Sequence, residues 1–175
     1  REVDRALNAL DQLKNLKIPR TYHIACKSPI RSRQLHLFSD GSEACYASMC
    51  FVRNLHEDGS ITISLVATKT RLAPLRTKIT IPRLELNGCV LSCRLSVQVQ
   101  RELAIPFESI TYWTDSCAVL EFIRNLKTRF NVYVGNRVSE IQCTTSIDSW
   151  RYVPTSENVA DGITRGIIPK TFDQH

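Results

Sequence analysis

Residues 34–70, QLHLFSDGSEACYASMCFVRNLHEDGSITISLVATKT, contain three apolar stretches separated by short polar turns. The first stretch, 34–40, partly alternates apolar and polar residues, the second covers 45–54, and the third, 60–70, is rich in β-branched residues that favour strands. The HEDG turn at 56–59 suits a hairpin, because Gly59 is free to adopt a positive φ. Three strands joined by short turns predict an antiparallel meander.

The chain after this meander alternates helices and strands. Pro82 suits the first position of a helix over 82–103, whose apolar stripe comprises Leu84, Gly88, Leu91, Leu95 and Val99. We predict further strands over 109–115 and 149–154, and further helices over 117–126, 131–142 and 158–165. A meander followed by α/β crossovers is typical of an α/β fold in which helices cover a mixed sheet.

The two ends of the chain differ from this central part. Residues 1–17 repeat apolar positions at helical spacing and predict a helix that ends before Pro19. Residues 20–33 are basic and irregular, so we interpret them as a linker. The predicted organisation is an N-terminal helix and linker over 1–33, one domain over 34–168, and a tail over 169–175. The first residue is not Met, which suggests a piece of a longer protein.

Composition and charge limit the class of protein. The length of 175 residues is ordinary for one domain, and the formal net charge of +6 favours a polyanionic partner without requiring one. The odd number of cysteines, seven, with mostly apolar neighbours indicates reduced core residues of an intracellular protein. Cys89 and Cys93 are spaced to share a metal on a helix, but packing is the simpler interpretation. No apolar run approaches the ~20 residues that span a bilayer, so we expect no membrane partner.

Four acidic residues stand at special places in the predicted fold. Asp40 ends the first strand, Glu85 lies in the first turn of the long helix, Asp115 ends the fourth strand, and Asp161 lies in the last helix. Sites in α/β sheets form at the carboxyl ends of strands, so Asp40 and Asp115 meet if their strands are neighbours. Clustered carboxylates repel, and hard cations such as Mg²⁺ or Mn²⁺ compensate that repulsion. Each acid taken alone is more simply a helix cap or a solvated loop residue.

Several short segments resemble a known family. FSDGS (38–42), IPRLEL (81–86), YWTDS (112–116) and ENVADGITRG (157–166) resemble the four motifs of retroelement ribonuclease H. Within that family, the IPRLEL and WTDS segments, together with the NxAD-x-x-(S/T)RG ending, are most similar to the BEL/Pao class of LTR retrotransposons, and VATKTRLAPL (66–75) also resembles that class. LKIPR (16–20) resembles the tail of the connection region that follows a reverse transcriptase.

The resemblance implies a fold, a site and an activity. The fold is ribonuclease-H-like, with a five-stranded mixed sheet in the order 3-2-1-4-5 flanked by helices. The family's Asp-Glu-Asp-Asp site maps onto Asp40, Glu85, Asp115 and Asp161, which would bind two Mg²⁺ or Mn²⁺ ions. The implied activity is hydrolysis of the RNA strand of an RNA–DNA hybrid during reverse transcription. The implied partner is the reverse transcriptase domain of the same polyprotein, and the implied location is the cytoplasm, in a virus-like particle.

Two departures from the family pattern stand out. Gly41 occupies a position where Ala is commoner, which we interpret as a conservative exchange between two small residues. The loop before the last Asp, PTSEN (154–158), lacks the His that many relatives carry there, and Glu157 is at most a weak substitute. The second departure concerns turnover rather than metal binding.

Basic and polar residues near the acids are candidate substrate contacts. Cations between the third strand and the long helix suit phosphate binding, and Arg165 suits a phosphate or the C-terminus of the last helix. Small polar residues beside the acids suit contacts with the nucleic-acid backbone or sugar. The predicted substrate-binding residues are Ser42, Asn87, Ser116, Arg71, Arg76, Lys78 and Arg165. Trp113 and Trp150 lie in predicted strands and are more typical of a core than of base stacking.

Two other functions remain open. A catalytically weak or inactive module that binds nucleic acid, or acts as a scaffold, would keep the fold and the basic surface without turnover. An integrase-like enzyme of the same superfold ranks lower, because such sites usually carry three acids with a late Glu. Fold alone does not decide among these functions.

Overall fold

The computed structural model describes residues 28–75, 78–127 and 129–165. Its strands are β1 (Ile30–Gly41), β2 (Cys45–His56), β3 (Ile61–Leu72), β4 (Ser109–Thr114) and β5 (Trp150–Tyr152). Its helices are α1 (Ile81–Leu103), α2 (Cys117–Arg124), α3 (Val132–Thr144) and α4 (Asp161–Thr164), with short 3₁₀ turns at Ile147–Ser149 and Thr155–Glu157. The predicted α/β class is therefore confirmed.

The strands form one mixed sheet in the order β3-β2-β1-β4-β5. The β1–β2 and β2–β3 pairs are antiparallel, whereas β4 is parallel to both β1 and β5. The predicted hairpin turn is confirmed, since Gly59 has a φ of 82°. The predicted meander and the predicted strand order, 3-2-1-4-5, are confirmed as well.

Several predicted boundaries differ from the observed ones. β1 begins at Ile30, so residues 30–33 belong to the sheet and not to the predicted linker; Arg33, for example, pairs with Asn54 of β2. α1 begins at Ile81, which places Glu85 in the second helical turn rather than the first. The last helix is shorter than the predicted range of 158–165, because the 3₁₀ turn ends at Glu157 and the helix begins only at Asp161. The predicted helix over 1–17 and the predicted tail over 169–175 lie outside the described residues.

The core lies between the sheet and the helices that pack on one of its faces. Leu35 and Leu37 of β1 point to this face and are fully buried. Trp150 is also fully buried and stacks on Tyr112 at 4.8 Å between ring centroids, which confirms the prediction of a core tryptophan. Trp113 instead lies half-buried on the opposite face, stacked on Phe38 at 5.9 Å.

Two pairs of hydroxyl groups hydrogen-bond inside the core. The hydroxyls of Ser48 and Ser92 lie 2.7 Å apart, and those of Ser96 and Tyr112 also lie 2.7 Å apart. The six described cysteines are free, and burial raises the pKa of Cys50 and Cys89 to about 12. Packing, the interpretation preferred for Cys89 and Cys93, agrees with their complete burial.

The opposite face of the sheet exposes apolar side chains. Ile63 of β3 is 58% exposed, and a shallow apolar depression of about 270 Å³ lies beside it, between Phe38, Phe51 and Trp113. Among the described residues, no helix is long and apolar enough to cross a membrane.

Candidate active site

The carboxyl ends of β1 and β4 lie side by side. Their parallel pairing ends at Ser39 opposite Thr114, and the next residue in each segment is an acid, Asp40 and Asp115. The first and fourth strands are therefore neighbours, as the prediction for these two acids required. Asp40 is buried, with 7% of its surface exposed.

Glu85 reaches this edge because α1 lies directly against the end of β1. A Cβ atom on Gly41 would lie 2.4 Å from the backbone N of Glu85, and a Cβ atom on Gly88 would lie 2.7 Å from the backbone O of Asp40. Real Cβ atoms do not come this close to other atoms. The interpretation of Gly41 as a conservative exchange with Ala is therefore wrong, because the helix backbone occupies the space that the Ala methyl group needs.

Asp161 is placed by a set of hydrogen bonds that fasten α4 to the end of β1. The side-chain amide of Asn158 donates to the backbone O of Ser39 at 3.0 Å, and the hydroxyl of Ser42 donates to the backbone O of Thr164 at 2.9 Å. The hydroxyl of Thr164 donates in turn to the Asp40 carboxylate. These bonds hold the last acid of the motif beside the first.

The acids influence one another through their charges. Burial raises the pKa of Asp40 above its ordinary value; the Thr164 hydrogen bond opposes this rise, and the charges of Asp115 and Asp161 add to it. Burial likewise raises the pKa of Glu85, a hydrogen bond from Ser116 opposes the rise, and the charges of Asp115 and Asp40 add to it. The charges of neighbouring acids therefore raise the pKa of both Asp40 and Glu85, as expected for carboxylates that share one edge of the sheet.

The carboxylate oxygens differ in their partners. Ser116 donates to Glu85 at 2.5 Å, and the guanidinium Nε of Arg165 lies 2.6 Å from Asp161. In contrast, Oδ1 of Asp115 is buried and has no hydrogen-bond partner. A polar oxygen buried without a partner is costly, so this atom is the carboxylate oxygen of the site that is most in need of a further ligand.

These side chains match the donor chemistry of a hard divalent cation, although they do not form a closed ligand set. Carboxylate oxygens are the ligands that Mg²⁺ and Mn²⁺ prefer, and the unpaired oxygen of Asp115 is available to one. Among the described residues, however, no three His, Cys, Asp or Glu side chains are grouped closely enough to hold a metal ion. The acids meet at one edge with several of their oxygens bonded to hydroxyl and guanidinium groups.

The predicted polar substrate contacts are engaged within the protein. Ser42 bonds to Thr164 and to the backbone O of Cys45, and Ser116 caps α2 as well as bonding to Glu85. The side chain of Asn87 is buried and bonds to Tyr133 and Arg137 of α3. Contact of these three residues with a substrate stays a prediction, and their visible role is to position other groups.

The predicted basic contacts are mostly at the surface. Arg71 and Lys78 are exposed, and Arg165 is exposed and paired with Asp161. Arg76 lies outside the described residues. Their contact with phosphate likewise stays a prediction.

Some residues of the site were not identified from the sequence. Asn158 and Thr164 fasten α4, and Gly88 admits the close approach of α1. Asn158 and Thr164 lie inside the quoted segment ENVADGITRG, so their place in that motif was the available signal. Nothing in the sequence marks Gly88 beyond its place in the apolar stripe of the helix.

Comparison with known proteins gives a family and a set of similar structures. The family model described as "Pao retrotransposon-like RNaseH-like domain" matches residues 1–116. The N-terminal RNase H domain of Rv2228c from Mycobacterium tuberculosis is 14% identical, with a TM-score of 0.52 over 77% of this chain and 96% of that one. LC11-RNase H1, solved in complex with an RNA/DNA hybrid, is 10% identical, with a TM-score of 0.50 over 78% and 96%. No curated protein sequence matches the chain. At these identities the structural likeness shows the fold alone.

Proposed function

Because the chain belongs to the Pao retrotransposon-like family of ribonuclease-H-like domains, we propose that it is a metal-dependent endonuclease. Its proposed reaction is hydrolysis of the RNA strand of RNA–DNA hybrids during reverse transcription of a retroelement. The proposed partner within the polyprotein is the reverse transcriptase domain. The structurally similar LC11-RNase H1 was solved with an RNA/DNA hybrid, so this fold is able to accommodate such a duplex.

One observation supports this proposal above the others. Asp40 of β1, Glu85 of α1 and Asp115, which directly follows β4, meet at one edge of the sheet, where Asp115 has a buried oxygen without a partner. A set of acids that served only to stabilise the fold would be expected to have its buried oxygens paired. Repelling carboxylates at the carboxyl ends of strands are instead typical of a functional site.

The four acids would act together as the metal ligands of the proposed site. Asp40, Glu85, Asp115 and Asp161 would hold two divalent ions, with the Ser116 hydroxyl fixing one oxygen of Glu85 and the Thr164 hydroxyl fixing one of Asp40. When bound, such ions supply an activated water and stabilise the leaving oxygen of a phosphodiester. The expected products carry 3′-hydroxyl and 5′-phosphate ends.

A non-catalytic module is the second candidate, and one observation favours it. Thr164, Ser116 and Arg165 already bond to the carboxylates of Asp40, Glu85 and Asp161. A chain in which these bonds persist would keep the fold and the basic surface but bind metal weakly. Such a protein would bind nucleic acid, or act as a scaffold, without turnover.

Strand-specific cleavage distinguishes the two candidates. The purified chain is incubated with an RNA–DNA hybrid labelled on either strand, in Mg²⁺ or Mn²⁺, beside an Asp115→Asn variant. Asp148→Asn is the matched control, since Asp148 is exposed and precedes β5, away from the carboxyl ends of the strands. We expect cleavage of the RNA strand alone, abolished by EDTA and by Asp115→Asn but retained by Asp148→Asn.

Two results would contradict the proposed activity. Equal cleavage by the wild-type chain and Asp115→Asn would assign the activity to a different site. An intact hybrid in both metals, with the chain folded, would favour the non-catalytic module. Joining the chain to its reverse transcriptase domain and repeating the assay would then show whether cleavage depends on that domain.

A further inference from the structure

The face of the sheet opposite the helices carries an apolar patch that the described residues leave open. Alternate residues of β3 point to this side, and Ile61, Ile63 and Leu65 are 49%, 58% and 48% exposed. The neighbouring strands extend the patch with three aromatic residues that line the depression of about 270 Å³: Phe51 of β2, Phe38 of β1 and Trp113 of β4. A contiguous apolar patch across four strands marks an interaction surface.

One polar atom on this face lacks a partner. The Nε1–H of Trp113 donates to Nδ1 of His36 at 3.1 Å, so the proton of the neutral imidazole is on Nε2. Burial, together with the charge of Arg53, lowers the pKa of His36 and keeps the ring neutral at pH 7. Nε2 is buried and has no hydrogen-bond partner among the described residues. His36 and Arg53 both line the depression, so a group with an acceptor oxygen would suit it.

The segment 1–17 has the complementary pattern. At helical spacing its apolar residues fall on one side: Val3, Ala6, Leu7, Leu10, Leu13 and Leu16. Asn8, Asp11 and Asn15 fall on the opposite side. Glu2 precedes Ala6 by one turn on the apolar side, where its carboxylate suits the Nε2–H of His36 and the guanidinium of Arg53. A helix with such a broad apolar stripe needs an apolar surface to pack against.

The chain enters the sheet within reach of this face. The backbone O of Pro29 accepts from the N–H of Glu57 at 3.0 Å, so the chain enters beside the β2–β3 hairpin. Residues 18–27, which precede the described part, span at most about 35 Å when extended. A helix of 17 residues is about 25 Å long, and β1 covers roughly 26 Å from Ile30 to Phe38. The connection is therefore long enough to place the helix over the aromatic residues.

We propose that residues 1–17 form an amphipathic helix that packs on this face of the sheet, with its apolar side over Phe38, Phe51, Ile63 and Trp113. The inference goes beyond the proposed function and does not depend on cleavage. Val159 lines the same depression and precedes Asp161 by two residues. The docked helix therefore also packs against the loop that leads to the last acid.

The reactivity of an introduced thiol tests whether the face is covered. The parent carries Cys26→Ser, Cys117→Ser and Cys143→Ser, which leaves only the four buried thiols of the described residues. One thiol is then added to the full chain, either by Ile63→Cys or by Val97→Cys. Val97 is on the outer side of α1 and is 49% exposed, so it is the matched control for Ile63. Mass spectrometry gives the rate of labelling, and the unreactive buried thiols report that the domain is folded.

A second pair of variants identifies the occupant. Leu7→Gln with Leu10→Gln removes two apolar side chains from the stripe, whereas Asn8→Gln with Asn15→Gln changes the polar side. Leu and Gln have similar helix propensities, so the first variant weakens packing rather than the helix itself. We expect Ile63→Cys to react about tenfold more slowly than Val97→Cys. The stripe variant should abolish this protection, and the polar-side variant should keep it.

Three results would overturn the inference. Equal rates for Ile63→Cys and Val97→Cys in the parent would show that the face is open. Protection that persists in the stripe variant would assign the face to residues 166–175, and protection that falls on dilution would assign it to a second copy of the chain. If the stripe variant exposes the buried thiols, Leu10→Cys and Asn8→Cys in the parent replace it. Slow labelling of Leu10→Cys alone supports docking, and equal rates at these two positions contradict it.

Discussion

The contact between Gly41 and α1 predicts a large effect of a single methyl group. In a Gly41→Ala variant, the new Cβ would lie 2.4 Å from the Leu84 carbonyl carbon and from the Glu85 backbone N. Ordinary contacts of a Cβ atom begin at 3.4 Å, so α1 and β1 must separate by about 1 Å. Both partners are backbone atoms, which cannot rotate away as a flexible side chain would.

The expected cost follows from this forced separation. Inserting a methyl group into a packed region costs about 1–3 kcal/mol, and the rigid backbone contact places Gly41→Ala near the upper limit. For a protein of this size, ~3 kcal/mol corresponds to a fall in melting temperature of roughly 6–12 °C. A displacement of ~1 Å at Glu85 would also lower hybrid cleavage by about a hundredfold.

Thermal and urea unfolding provide the assay, and Gly135→Ala provides the control. A Cβ on Gly135 would lie 3.8 Å from the nearest atom, inside α3, where Ala is favoured over Gly by about 0.5–1 kcal/mol. The same substitution should therefore destabilise at position 41 and stabilise at position 135. A Gly41→Ala protein as stable as the wild type would refute the close approach of α1 to β1.

Three further predictions concern the core, the last helix and the cysteines. Ser48→Ala or Ser92→Ala alone should lower the free energy of unfolding, measured in urea, by about 1–3 kcal/mol, because the remaining buried hydroxyl loses its partner. If the double variant lowers it by the sum of the two single effects, the two hydroxyls are not paired. Asn158→Ala should accelerate hydrogen exchange of the α4 amides while leaving α1 protected, and equal protection of α4 would show that Asn158 does not fasten it. In a Cys26→Ser parent, a thiol reagent should label only the exposed Cys117 and Cys143 while the protein is folded. The buried thiols, which should not react, are Cys45, Cys50, Cys89 and Cys93. Fast labelling of more than two thiols would contradict this burial.

The meander follows from local patterns, whereas the strand order, 3-2-1-4-5, was implied by the resemblance to retroelement ribonuclease H. The meeting of Asp40 and Asp115 was expected on the condition that their strands are neighbours, which β1 and β4 are. Alternating strands with short turns predicted the meander, and acids that end two strands predicted the shared edge of Asp40 and Asp115. The four quoted motifs then placed the chain in a family whose model also matches it.

The parts that the sequence did not predict depend on contacts between distant residues. Arg33 looked like part of a basic linker, but its strand is defined by pairing with β2. The requirement for Gly at position 41 arises from α1, whose backbone is brought there only by folding. The contact of Asn87 with the nucleic-acid backbone or sugar stays a prediction, but its hydrogen bonds to Tyr133 and Arg137, which arise from the packing of α3 against α1, were not predicted.

Binding of divalent ions to the four acids is the central claim, and calorimetric titration of Mn²⁺ into the folded chain tests it most directly. The account predicts two bound ions per chain for the wild type and for the Asp148→Asn control. It predicts loss of at least one ion in Asp115→Asn, because the unpaired oxygen of Asp115 is the most available ligand. Absence of binding to the wild-type chain, or unchanged binding in Asp115→Asn, would contradict a metal site built from these carboxylates.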